Sequence, residues 1–281
     1  MMENKVFFII LFATIAHAIW NAMVKKHPDK KTAVSAIVLG HVPLSLLAIF
    51  FLPLPSIKSV PYIILSAVIH QGYQWFLLKS YSIGDFTKVY PICRGFGPLV
   101  ATVISILFLG ITFDLPILLS IILISFGIML LGFNFNLNVN DINTLKYSLI
   151  TGLFIGLYSL IDGYGARISL SAISFISFSF ILSALIFVIL IKIKDNQNIF
   201  SKVAKEGKTL FLIGGTLSFL IYIIVVWGFT KAPIPLVSAL RETSIFFSIF
   251  IGHFFLNENI SFKKIISICL IIFGVIGIKI F

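Results

Sequence analysis

Residues 87–109 read TKVYPICRGFGPLVATVISILFL, and residues 235–256 read PLVSALRETSIFFSIFIGHFFL. Each is an apolar run long enough to cross a bilayer as a helix, which takes about 20 residues. Each also holds one arginine at a similar depth, Arg94 in the first and Arg241 in the second. A charged side chain at mid-membrane costs roughly 2.5–3.5 kcal/mol on insertion scales. Residues kept at that cost mark a substrate or ion pathway and have a partner nearby.

Working outward, eight further stretches have the same character, at 6–24, 33–53, 60–80, 115–133, 147–166, 172–192, 209–230 and 262–280. The reading is therefore an all-α integral membrane protein with ten transmembrane helices. The runs are continuously apolar, whereas outer-membrane strands alternate in short stretches. Composition agrees: 59% of the 281 residues are hydrophobic and 11% charged, against about 45–50% and 25% in soluble domains. With a mean hydropathy of +1.11, a soluble enzyme, a disordered chain and a nucleic-acid-binding domain are all excluded. The net charge of +11 comes from lysines in short runs between spans, the mark of cytoplasmic loops.

Those lysines give an orientation. With ten spans, the termini and every second loop share one side, which carries Lys5, Lys58, Arg167, Lys231 and Lys279. The other side carries fourteen, from Lys25 and Lys26 through Lys202 and Lys205 to Lys263 and Lys264. The positive-inside rule puts the lysine-rich side in the cytoplasm and both termini outside it. Near the N-terminus, Lys5, an apolar run from Val6 and Ala16-His17-Ala18 imitate a signal peptide. The run continues to Val24, so a retained first helix is expected.

The two arginine-bearing stretches also repeat one another. An offset of 147 carries Arg94 onto Arg241, Leu109 onto Leu256 and Gly127 onto Gly274. An offset of 141 carries Asn21 onto Asp162 and Lys26 onto Arg167. The expected organisation is a repeat of five spans over 1–133, a linker at 134–146 and a second repeat over 147–281. An odd number of spans per repeat inverts the second in the membrane, an architecture of many secondary transporters.

HAIWNAMVKK in the first span, VYPICRG in the fourth, DGYGAR in the sixth and FFLNENISFKKIISICLIIFGV near the C-terminus resemble the EamA-type transporters of the drug/metabolite transporter superfamily. The resemblance implies two EamA repeats and transport of a small molecule. The first repeat departs from the pattern at Ile111, where the second has the acid Glu258. Several relatives are drawn with cytoplasmic termini, which the lysine distribution here contradicts.

Arg94 and Arg241, brought together by a pseudo-twofold, would bind an anionic group through the bidentate guanidinium fork. Internal pairing of Arg94 with Asp162, and of Arg241 with Glu242 or a carbonyl, is the competing reading. Gly95, Gly97 and Pro98 suggest a loosened helix beside Arg94, as irregular helices at this depth line cavities. In the third span, His70, Tyr73, Gln74 and Leu77 share one helical face. Tyr90 lies four residues before Arg94. Tyr158 lies four before Asp162, and His17 four before Asn21 with Trp20 on the same general face; such pairs are neighbours on a helix. The expected substrate-binding set is thus Arg94, Arg241, Trp20, Asn21, His70, Tyr73, Gln74, Tyr90 and Tyr158. Asp162, Glu242 and His17 are candidates for proton coupling or charge pairing. His253 and the cysteines, Cys93 and Cys269, read as packed side chains.

No Gly-rich phosphate loop, HExxH, GxSxG or Cys/His ligand spacing occurs in the sequence, so neither a cofactor nor a metal is expected. The expected function is secondary transport of a small polar metabolite, anionic or zwitterionic, across a prokaryotic inner membrane, with proton coupling as an option. Amino acids, organic acids and phosphonates fit such a site. The alternatives are a lipid or lipid-linked carrier flippase and, with less support, a membrane transferase. The expected partners are the substrate and the bilayer, with no nucleic acid, for a monomer or homodimer.

Overall fold

The computed structural model describes residues 2–133, 139–194, 198–256 and 259–281. The helices are α1 (Asn4–Lys26), α2 (Lys30–Phe51), α3 (Val60–Ile83), α4 (Phe86–Leu109), α5 (Leu115–Gly132) and α6 (Val139–Ile168). They continue with α7 (Ala172–Lys194), α8 (Ile199–Glu206), α9 (Gly215–Lys231), α10 (Ile234–Glu242), α11 (Ser244–Leu256) and α12 (Phe262–Ile280). A 3₁₀ turn, Ile57–Ser59, precedes α3, and a π-helical turn, Leu210–Gly214, runs into α9. No strand occurs among the described residues. The repeat acid expected at Glu258 lies outside them, as do residues 134–138 of the linker.

Every stretch read as a span is helical, but eight helical segments, not ten, have the length and apolar composition of a membrane crossing. The remaining two are α3 and α12. In α3, His70-Gln71-Gly72-Tyr73-Gln74-Trp75 dilutes the apolar content, and α12 carries Lys263, Lys264 and Lys279. Helix α6 begins at Val139 and takes in part of the expected linker. The connector after α7 contains α8, whose polar sequence buries Ile199 and Val203 and aims its lysines outward. At its end of the bundle, Asp29 accepts from the Lys31 backbone N–H at 2.9 Å and from Lys202 Nζ at 2.6 Å, which caps α2 and ties it to α8.

Burial is inverted relative to a water-soluble protein. Phe8, Phe12, Phe50, Phe51 and Phe108 are exposed, whereas Thr14, His17, Gln71, Arg94, Asp162, Arg241 and Glu242 are buried. Only a hydrocarbon surround makes such a surface favourable. Inside lipid, helix association relies on close packing and small residues. Gly40 shows this: a Cβ there would lie 2.4 Å from the Phe211 carbonyl oxygen and 2.9 Å from Gly215 Cα. Helix α2 therefore approaches the π turn backbone to backbone.

The packing pairs are regular. Helix α2 lies on α7, α4 on α10 and α5 on α12, while α3 packs on α6 as α9 packs on α1. The α5–α12 seam is reciprocal in detail. A Cβ on Gly127 would meet the Ser267 carbonyl at 3.1 Å, and a Cβ on Gly274 would meet the Ser120 carbonyl at 2.7 Å. Both pairs, Gly127 with Gly274 and Ser120 with Ser267, are separated by the offset of 147.

Candidate functional site

Glycines on α6 decide where Arg94 sits. A Cβ on Gly152 would lie 2.9 Å from the Cys93 carbonyl, and one on Gly156 would lie 2.9 Å from the Gly97 carbonyl. This pair, four residues apart, lets α4 settle against α6. Arg94 and the Asp162 face of α6 are thereby drawn toward one interior. Contrary to expectation, α4 is not interrupted beside Arg94; it runs unbroken through Pro91 and Pro98. Gly95 is used instead for contact with Met129 and the Ser125 carbonyl, and Gly97 for contact with Ile155. The interruption falls in the second arginine-bearing stretch, where Thr243 separates α10 from α11 immediately after Arg241-Glu242.

Glu242 is shared by both arginines. Arg241 donates to its Oε1 from Nε at 2.9 Å and from Nη2 at 2.5 Å. Arg94 Nη1 donates to Oε2 at 3.2 Å, and lies 3.4 Å from Oε1. The alternative pairing of Arg94 with Asp162 is thus corrected, since Glu242 takes that place. Asp162 is held through Oδ2 alone, by the Tyr222 hydroxyl at 2.5 Å and by His70 Nε2 at 3.1 Å. Both carboxylates are 0% exposed. Tyr90 stacks under the Arg94 guanidinium at 5.2 Å, and Tyr158 under that of Arg241 at 5.6 Å. Such rings replace part of the hydration that a buried cation loses.

The guanidiniums of Arg94 and Arg241 reach a central cavity of about 110 Å³. Trp20, Asn21, His70, Tyr73, Gln74, Tyr90, Tyr158 and His17 line it with them. The structure thus gathers the expected binding set, together with His17, around one space. Asp162 and Glu242 stand behind the wall. His17 Nδ1 lies 2.9 Å from Ser244 Oγ at the start of α11, and 3.0 Å from Asn21 Nδ2. His70 stacks on Tyr158 at 4.4 Å. Leu77 also faces the cavity, whereas Trp75, one residue off that face, is 42% exposed toward lipid.

Among the described residues, several buried polar atoms have no hydrogen-bond partner, including Trp20 Nε1, His41 Nε2, Gln74 Oε1 and Asp162 Oδ1. The first three belong to residues that line the cavity. Unsatisfied groups cost about 1–3 kcal/mol each when buried, and those on the cavity residues suit a polar ligand. The sequence reading missed His41, which stacks on Phe180 at 4.4 Å. It also missed Ser183, which joins the Gln71 side chain to α7. An ionisable residue in the middle of the second apolar run was the available signal for His41.

The cavity extends toward the lysine-rich end of the bundle, where Val24, Val34 and Tyr81 border it. Toward the opposite end, packed apolar side chains including Val6, Ile10, Ile63, Phe175, Phe229 and Ile234 fill the interior. A second, larger groove of about 580 Å³ lies between α2, α3 and α7 on the lysine-rich side. It shares Tyr81 with the central cavity.

The described residues thus form an apolar-surfaced helical bundle that buries a charged cluster beside a central cavity. Residues 144–280 match the model of the EamA-like transporter family. The second half of the chain is thus similar to that family, which suggests a membrane transporter of the drug/metabolite type. None of the curated proteins matches the sequence. A solved crystal structure of a protein aligns over 99% of this chain and 99% of that one, with a TM-score of 0.75 at 12% identity. A likeness at that identity shows a shared fold.

Proposed function

We propose that the protein is a secondary transporter for a small polar metabolite, anionic or zwitterionic, moved by alternating access. The observation that carries this reading is the Arg94–Glu242–Arg241 cluster: two guanidiniums and one carboxylate, with both guanidiniums reaching the cavity. An amino acid, organic acid or phosphonate presents the matching group. We read ten spans in two inverted repeats, over 1–133 and 147–281. The reciprocal Gly127–Ser267 and Gly274–Ser120 contacts support that reading. The unpaired Asp162 Oδ1 and the facing His70 suit proton coupling. The lysine distribution supports insertion in a prokaryotic inner membrane with both termini outside the cytoplasm.

A thermal-shift screen of the purified protein with amino acids, organic acids, phosphonates and cations tests the site. Stabilisation by an anion or zwitterion is expected in the wild type and is expected to vanish in Arg94→Ala and Arg241→Ala. A response to cations alone, or variants that respond like wild type, would make both arginines structural. For coupling, uptake into proteoliposomes should accelerate with an imposed proton gradient, and Asp162→Asn should remove that acceleration. Uptake indifferent to the gradient would sink the coupling.

A second reading, a flippase for a lipid or lipid-linked carrier, draws support from the groove between α2, α3 and α7. Lys30, Lys31, Lys79 and Ser82 line it beside Trp75 and Leu190, which are exposed to the bilayer. Uptake of a soluble anion with no scrambling of labelled lipid separates the two.

A further inference from the structure

We propose that Glu242 sets the charge of the ligand: it stands as a built-in carboxylate on the arginine pair, so the cavity accepts one negative charge and excludes a second. The proposal rests on the anion-binding reading above and adds a selectivity rule to it.

The geometry separates the residues by depth. Glu242 is fully buried, while Arg94 and Arg241 line the cavity. The carboxylate therefore occupies the far side of the guanidiniums and leaves their near side to a ligand. Each guanidinium offers five N–H donors in a fixed fork. Among the described residues, Arg94 donates to Glu242 only from Nη1, and Arg241 only from Nε and Nη2. Arg94 Nε and Nη2 and Arg241 Nη1 are left for a second acceptor.

The formal charge follows. Two arginines and one glutamate leave a surplus of one positive charge in a site walled by aromatic and aliphatic side chains. Asp162 touches neither arginine, its contacts being Tyr222 and His70, so it takes up none of their N–H donors. A monoanion neutralises the arginine–glutamate cluster. A dianion brings a further charge into a low-dielectric cavity that, among the described residues, has no third arginine or lysine in its lining. The histidines that face the cavity, His17, His41 and His70, would supply one only when protonated. The discriminating experiment is therefore done at about pH 8, above the usual range of histidine.

The measurement is ligand-dependent thermal stabilisation of the purified protein, titrated with a monocarboxylate series and with dicarboxylates of matched length. Wild type is expected to respond to the monocarboxylates. Glu242→Gln is expected to gain about tenfold or more in apparent affinity for the dicarboxylates, because both guanidiniums then face the ligand uncompensated. The double variant Arg94→Gln/Glu242→Gln restores the surplus of one and should return to monocarboxylates. It also carries the test if the single variant does not fold. A Glu242→Gln protein that keeps the wild-type preference for monocarboxylates, or a double variant that prefers dicarboxylates, would overturn the assignment of Glu242 while leaving anion binding intact. A wild type that responds to no anion at all would overturn both.

Discussion

Arg94, Arg241 and Glu242 form a unit whose members cannot be removed independently. Deleting Glu242 leaves two guanidiniums facing each other without the carboxylate that joins them. Breaking a buried ion pair by removing one partner costs about 3–5 kcal/mol. Glu242→Ala is therefore expected to lower the thermal midpoint strongly, as read by unfolding in detergent. Lys202→Ala removes a partly exposed pair with Asp29 and should cost less than about 1 kcal/mol. The arginines, Asp162 and the His70 face were legible in the sequence, because ionisable residues in apolar runs stand out. Which acid meets which arginine was not legible. Asp162 and Glu242 are equally anomalous by composition, and the assignment depends on side-chain reach across three helices.

At the scale of single elements, the close approach of α2 to the π turn gives a sharp test. Gly40→Ala would put a methyl group 2.4 Å from a backbone oxygen, where no side chain can yield. A destabilisation of about 1–3 kcal/mol is expected, the usual cost of overpacking, measured as a lowered midpoint with unchanged helical content. The start of α2 offers a second test, on Asp29. Partial burial works to raise its carboxyl, but Lys202, Thr32 and the amide of Lys31 outweigh it and hold the group at about 2, below the ordinary 3.8. A depressed carboxylate stabilises the fold fully above its unfolded value and loses that contribution as pH falls through the folded one. Asp29→Ala should thus cost about 1 kcal/mol at neutral pH as a lost N-cap. The gap to wild type should close between about pH 4 and 2. Most helix boundaries were readable to a few residues from the apolar runs, but not the start of α6 at Val139 or the break at Thr243. The short α8 was not, because its buried face amounts to Ile199 and Val203 in a lysine-rich connector.

For the whole molecule, the prediction concerns sidedness. Lys231 lies on the lysine-poor end, with Arg167 donating to the neighbouring carbonyls of Phe229 and Ala232. Lys202 lies on the other end against Asp29. A membrane-impermeant maleimide is expected to label Lys231→Cys in intact cells, and Lys202→Cys only after permeabilisation. Cys93 is buried, but Cys269 is exposed on the apolar α12, so the labelling is read in a Cys269→Ser background. The reverse labelling pattern would turn the protein over and place the end of the cavity bordered by Val24 and Tyr81 on the outer side.

The sequence by itself determined a helical membrane protein, the depth of Arg94 and Arg241, the repeat offset and the residues of the polar face on α3. These follow from hydropathy and spacing, which act within one helix and need no knowledge of its neighbours. Tertiary structure alone decided that Glu242 bridges both arginines, that Asp162 turns to Tyr222 and His70, and that the helix break falls at Thr243. It also brought His41 to the cavity. Those outcomes depend on how closely helices approach at Gly40, Gly152 and Gly156, and that distance is set by packing between elements far apart in the chain.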